Sequence, residues 1–125
     1  MPHTFRLRSP RLLKISENAV EKQLTEWLLA RGWYPIRQHS GLFRTADGRY
    51  IRVGEAGIPD YVVLHAQFPA FFLETKRPGA KLSAEQVRKR WAIERAYGLP
   101  VAVADGLEKL KSWLEGHERK FKERL

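Results

Sequence analysis

Two carboxylates and a lysine stand where strand ends are expected: Pro59-Asp60, and Glu74-Thr75-Lys76 on the following predicted strand. Side chains alternate along a strand, so Glu74 and Lys76 share one face and Thr75 points to the other. If the strands Ile58–Leu64 and Ala70–Lys76 pair as antiparallel neighbours, the start of one lies beside the end of the other, and Asp60 meets Glu74. Two carboxylates that close repel each other unless a cation joins them. A hard divalent ion such as Mg²⁺, held by carboxylates, waters and a phosphate oxygen, suits such a pair. The lysine beside it can orient an attacking water and offset charge on a phosphate. Each motif alone is weak, and Glu118-Arg119-Lys120 repeats Glu-x-Lys in a predicted helical tail. By spacing alone, Asp60 reads equally as a turn acid behind Pro59, and Glu74 with Lys76 as a salt-bridged strand edge.

Other chemistries drop out. Cysteine is absent, which removes disulfides, thiolate metal sites and cysteine nucleophiles. The four histidines, His3, His39, His65 and His117, are too scattered to supply a ligand pair from one helix. There is no Gly-rich phosphate loop, no GxGxxG, no Ser elbow and no HExxH, so no nucleotide cofactor is expected. No apolar run is long enough to cross a membrane, and a cytoplasmic protein without a membrane partner is expected. The chain has 125 residues, 43% of them hydrophobic and 30% charged, which predicts one globular domain. Its net charge of +9 makes a polyanion, nucleic acid first, the partner to consider.

The elements that must hold the acids follow from the pattern. Residues 1–15 carry Arg6, Arg8, Arg11 and Lys14 with no acid, and read as a basic arm. Ser16 to Arg31 reads as a helix, with Ser16 as N-cap or Asn18 opening a capping box with Glu21, and with Gly32 behind it. At about 100° per residue, Glu21 borders the stripe of Val20, Leu24 and Leu28, whereas Glu17 falls on that side but in the first turn. Trp33–Arg37 is a short extended piece interrupted by Pro35, and Leu42–Thr45 with Arg49–Val53 flanks an Ala46-Asp47-Gly48 hairpin signal. After the two acid-bearing strands, Ser83-Ala-Glu-Gln86 opens a second helix with a capping-box sequence that Gly98-Leu-Pro100 ends. Val101–Ala104, all apolar, reads as a central or well-covered strand, and Leu107, Leu110 and Leu114 mark a last helix running toward a charged tail, 115–125. The expected class is α/β, in the order α-β-β-β-α-β-α around one mixed sheet.

That order, with Glu21, Gly41, Asp47-Gly-Arg-Tyr-Ile-Arg52, Gly57-Ile-Pro-Asp60, Glu74-Thr-Lys76 and Leu82-Ser-Ala-Glu-Gln86 in sequence, resembles the VRR-NUC (virus-type replication-repair nuclease) family of the PD-(D/E)XK nucleases. The likeness spans residues 16–114 and implies a restriction-endonuclease-like core and a Mg²⁺- or Mn²⁺-dependent endonuclease acting on branched or structured DNA, much like junction resolvases. It implies Asp60, Glu74 and the backbone carbonyl of Thr75 as metal ligands, Lys76 as the group that positions the water, and Glu21 as the helix-one acid completing the shell. Gln86 would be a polar residue beside the site. Capping remains the other reading of Gln86, and of Glu21.

Lys81, Arg88 and Lys89 near the second helix, with Arg44 and Arg52 on the hairpin, are the expected DNA contacts, since phosphates need only reachable cations. Arg49 and Arg90 are further candidates. Trp33, Tyr34 and Trp91 have the chemistry to stack on bases, but Trp91 follows Val87 at i+4 and reads rather as core. A four-way junction offers two equivalent strands, so a homodimer is expected, with Trp33-Tyr34, Phe43 and Phe68 as its apolar surface. The alternative is a non-catalytic basic DNA-binding module that keeps the nuclease fold. Two anions facing a polyanion speak against it.

Overall fold

A computed structural model of the chain describes residues 16–124. The basic arm expected over 1–15 lies outside the described residues. Three helices and six strands follow one another: α1 (Glu17–Ala30), β1 (Tyr34–Arg37), β2 (Gly41–Arg44), β3 (Tyr50–Val53), β4 (Tyr61–Leu64), β5 (Phe71–Thr75), α2 (Ala84–Tyr97), β6 (Val101–Ala104) and α3 (Leu107–Arg124). The class is α/β. Its central sheet has four strands in the order β1-β4-β5-β6, and β2 and β3 form a separate two-stranded ribbon. The central sheet is mixed: β1 and β5 run antiparallel to β4, while β6 runs parallel to β5. A parallel neighbour requires a crossover, and α2 provides it.

The core lies on one face of this sheet. Val20, Leu24 and Leu28 recur at helical spacing on α1, and Leu110 and Leu114 on α3; all five are buried. They close over Tyr61 and Val63 of β4, Phe71 and Leu73 of β5, and Ala102 and Ala104 of β6. Trp33, only 1% exposed, joins the same core and stacks near Phe68 and Phe71. It is therefore not available as a dimer or base-stacking surface, and Phe68 is likewise packed against the core. The last helix does not stop at Leu114: His117 stacks on Trp113, and Phe121 meets Phe68 edge to face.

The opposite face carries α2, which buries only Ile93 and is tethered by polar contacts. Ser83 and Gln86 form its capping box, and Lys89 pairs with Glu55 at 2.6 Å. The Glu94 carboxylate accepts the backbone N–H of Val101 at 3.2 Å. Trp91 and Val87, at 61% and 52% exposure, face solvent, which corrects the expectation of a core Trp91. Their i, i+4 spacing marks a helix face, but the sheet lies on the neighbouring side of α2.

Ser16 caps α1, accepting from Ala19 N at 3.1 Å, so Asn18 is inside the helix and not its cap. Pro35 does not interrupt β1. The strand lies at the sheet edge, where a residue without N–H is tolerated.

Candidate active site

The acid pair is built by the β4–β5 register. Tyr61 pairs with Leu73, so one step beyond the ladder Asp60 lies beside Glu74. The N–H groups of Phe72 and Lys76 donate to Pro100 and Ala104, so these residues turn their amides to β6 and Thr75 turns its own toward β4. There β4 has already ended, and the Asp60 carboxylate takes the place of the missing ladder acceptor. Oδ2 of Asp60 accepts the Thr75 N–H at 2.8 Å and the Thr75 hydroxyl at 2.9 Å. The backbone carbonyl of Asp60 in turn accepts from Gln38 N at 2.7 Å, which ties the acid to the end of β1. The buried hydroxyl of Thr75 thus belongs to the site, whereas alternation had turned that side chain away.

Glu74 is 4% exposed. Burial first, and the neighbouring Asp60 second, push its carboxyl up to about 8, with Lys76 acting in the opposite sense. Gln86 reaches it from α2: Nε2 donates to Glu74 Oε2 at 3.1 Å, while Oε1 accepts from Ser83 N at 2.9 Å. Both readings of Gln86 therefore hold in one side chain. Its oxygen caps the helix and its nitrogen orients the buried acid.

Glu21 is placed otherwise than expected. Its carboxylate pairs with the Arg37 guanidinium and accepts the Tyr61 hydroxyl, and so is engaged at the β1–β4 edge. The Tyr61 hydroxyl is raised by burial first, with Arg37 acting in the opposite sense and Asp60 adding to the rise. The α1 acid whose charge is felt at Glu74 is Glu17, one turn earlier. Among the described residues no three His, Cys, Asp or Glu side chains gather as a metal-holding group. The structure brings together Asp60, Glu74, Thr75, Lys76 and Gln86, and leaves Glu21 outside that group.

The donor chemistry fits a hard divalent cation. Two carboxylates lie together, and burial first, then the neighbouring carboxylate, drives Glu74 toward its protonated form. The carbonyl of Thr75 opens on the same side as its N–H, past the end of β4, and would be a third oxygen. All three are hard oxygen donors, suited to Mg²⁺ or Mn²⁺. The contact from Gln86 is the kind that holds a ligating carboxylate in orientation.

The expected DNA contacts scatter around this centre. Lys81 and Arg88 are exposed, the latter beside Ala56 and Lys89 where α2 meets the loop before Asp60. Lys89 is committed to Glu55. Arg44 lies over the ring of Tyr50. Arg52 stands opposite Leu42 in the ribbon, and its side chain and that of Phe43 lie outside the described ones. Arg49 is paired with Asp47, and Arg90 with Glu94.

Among the described residues no helix is long and apolar enough to cross a membrane. The chain matches no known protein-family model, and no curated protein matches it in sequence.

Proposed function

We propose that the protein is a divalent-metal-dependent DNA endonuclease, with Asp60, Glu74 and the Thr75 carbonyl as the Mg²⁺ or Mn²⁺ ligands. The observation that carries the reading is the Asp60–Glu74 pair itself. A buried carboxyl held up to about 8 by its surroundings and by a second carboxylate is a costly arrangement, and a divalent cation relieves it. The resemblance to the VRR-NUC family, carried by Gly57-Ile-Pro-Asp60, Glu74-Thr-Lys76 and Leu82-Ser-Ala-Glu-Gln86, supports the same reading.

The bound ion would supply Lewis-acid polarisation of a phosphate oxygen. The chain's own residues do the rest. Thr75 fixes Asp60 through two donors to one of its oxygens. Gln86 holds Glu74 in orientation. Lys76, half-buried on the same strand face as Glu74, positions water and offsets negative charge gathering on the phosphate. The net +9 draws the polyanion in. Branched DNA is the substrate class that the resemblance favours, and two copies of the chain would supply one site for each strand of a four-way junction.

The direct test is incubation with Mg²⁺ and a panel of single-stranded, duplex, flap and four-way-junction DNA. Cleavage is expected with Mg²⁺ or Mn²⁺, to cease in EDTA and in Asp60→Asn. Undiminished cleavage in either condition would sink the reading.

A further inference from the structure

The β2–β3 ribbon packs against no other helix or strand among the described residues. It leaves the body between β1 and the loop that carries Asp60, and its base is tight: a Cβ on Gly54, at φ +70°, would run into the backbone carbonyl of His39. Its tip is stiff. Gly48, at φ +88°, closes a three-residue turn in which Gly48 N donates to Thr45 O, and Asp47 is bonded to the Thr45 hydroxyl and to Arg49. The shaft is adhesive. Tyr50 and Ile51 are 63% and 49% exposed, and Arg44 pairs across the ribbon with Tyr50. An isolated two-stranded hairpin is marginal in water, and this one spends aromatic and aliphatic side chains on solvent.

We infer that the ribbon inserts into the major groove of duplex DNA beside the cleavage site. The inference rests on the DNA-directed part of the proposed function and not on turnover. Four residues per strand give a shaft roughly 14 Å long. The major groove of B-form DNA is about 12 Å wide and about 8.5 Å deep and admits a two-stranded ribbon, whereas the minor groove, about 6 Å wide, does not. The ribbon carries Arg44, Arg49 and Arg52 against one acid, Asp47, which matches the charge of the groove walls. Tyr50 and Ile51 offer apolar contact of the kind that thymine methyl groups accept. Because Gln38 N holds the Asp60 carbonyl at the foot of β1, a duplex arm gripped by the ribbon is held beside the acid pair. The deep, narrow major groove of A-form RNA excludes such a ribbon, so the contact also selects DNA.

The test compares wild type with Arg44→Ala/Tyr50→Ala/Ile51→Ala, whose side chains are exposed; circular dichroism checks that the fold is kept. Fluorescence anisotropy in EDTA, with duplex and four-way-junction DNA at fixed salt, is expected to show binding weakened tenfold or more in the triple variant. Methylation of guanine N7, which lies in the major groove, should interfere with wild-type binding at two or three neighbouring positions and lose that effect in the variant. A duplex RNA of the same sequence should bind equally to both proteins. Unchanged DNA affinity in the variant, or interference only from adenine N3 in the minor groove, overturns the inference. So does a mass near two chains by light scattering that falls to one in the variant, since the ribbon would then join copies. If wild type binds through the ribbon but cuts nothing, only the nuclease reading fails. If it cuts, and the variant binds unchanged, only the ribbon inference fails.

Discussion

Thr75 gives both its backbone N–H and its hydroxyl to a single oxygen of Asp60, at 2.8 and 2.9 Å. The strand that carries Glu74 therefore also fixes the other acid, and the separation of the pair is set within one stretch of β5. Asp60→Ala leaves two buried donors without an acceptor and should cost about 1–3 kcal/mol of stability as well as activity. Asp60→Asn keeps an acceptor oxygen, so its unfolding midpoint in urea should stay closer to wild type while cleavage is lost. Equal destabilisation by both would show that the charge, and not the acceptor, holds Thr75.

Glu74 gives the chain a pH signature. Its carboxyl is raised from 4.5 in the unfolded reference to about 8 in the fold, so between those values the folded chain binds a proton that the unfolded chain has released. Stability contributed at this position is greatest below about 4.5 and declines as pH rises toward about 8. Thermal melts of wild type and Glu74→Gln should diverge with rising pH, the variant being the more stable near pH 8. Mg²⁺ or Mn²⁺ should raise the wild-type midpoint more at pH 8 than at pH 5, because the ion requires the ionised form. A difference between the two proteins that does not change with pH would contradict this account.

Gln86 serves two ends at once. Gln86→Ala removes the reciprocal half of a capping box, worth about 0.5–1 kcal/mol, and the donor to Glu74. Metal affinity read by calorimetry should fall about 10–100-fold, as for loss of other contacts that orient a ligand. Ser83→Ala disturbs the cap alone and should leave metal affinity within about threefold, separating the two jobs.

Gly57 seats α2 against the loop before Asp60. Its φ is +80°, and a Cβ there would lie 2.7 Å from the carbonyl oxygen of Glu85. Gly57→Ala should cost about 2 kcal/mol or more and lower cleavage along with stability. Gly106→Ala, where a Cβ meets nothing, should shift the unfolding midpoint little.

The acid pair was legible because it needs only period-two alternation and one antiparallel neighbour. The caps at Ser16 and Ser83 were legible for a similar reason: they are local. The helix-one acid was not. A helical wheel gives the azimuth of Glu21 but not which turn of α1 reaches the sheet edge, and Arg37, which captures Glu21, arrives from another element. Trp33 and Trp91 exchange the roles their neighbours suggested, one buried and one exposed. Their burial depends on which side of a strand end or helix the sheet occupies, and no short-range pattern carries that. The separate standing of the ribbon was equally hidden, since its alternation matches that of a strand inside the main sheet.

The two outer borders of the central sheet share a property. The antiparallel register with β4 turns Pro35 outward on β1, and proline has no N–H to offer. On β6 the outward N–H of Val101 is already taken by Glu94. Each border thus has one outward position, Pro35 or Val101, that offers no free donor to an incoming strand. Growth of the sheet by strand addition, the route to filaments and amyloid-like aggregates, is disfavoured at both ends. Pairing of copies sheet to sheet is then less favoured than pairing through faces or through the ribbon.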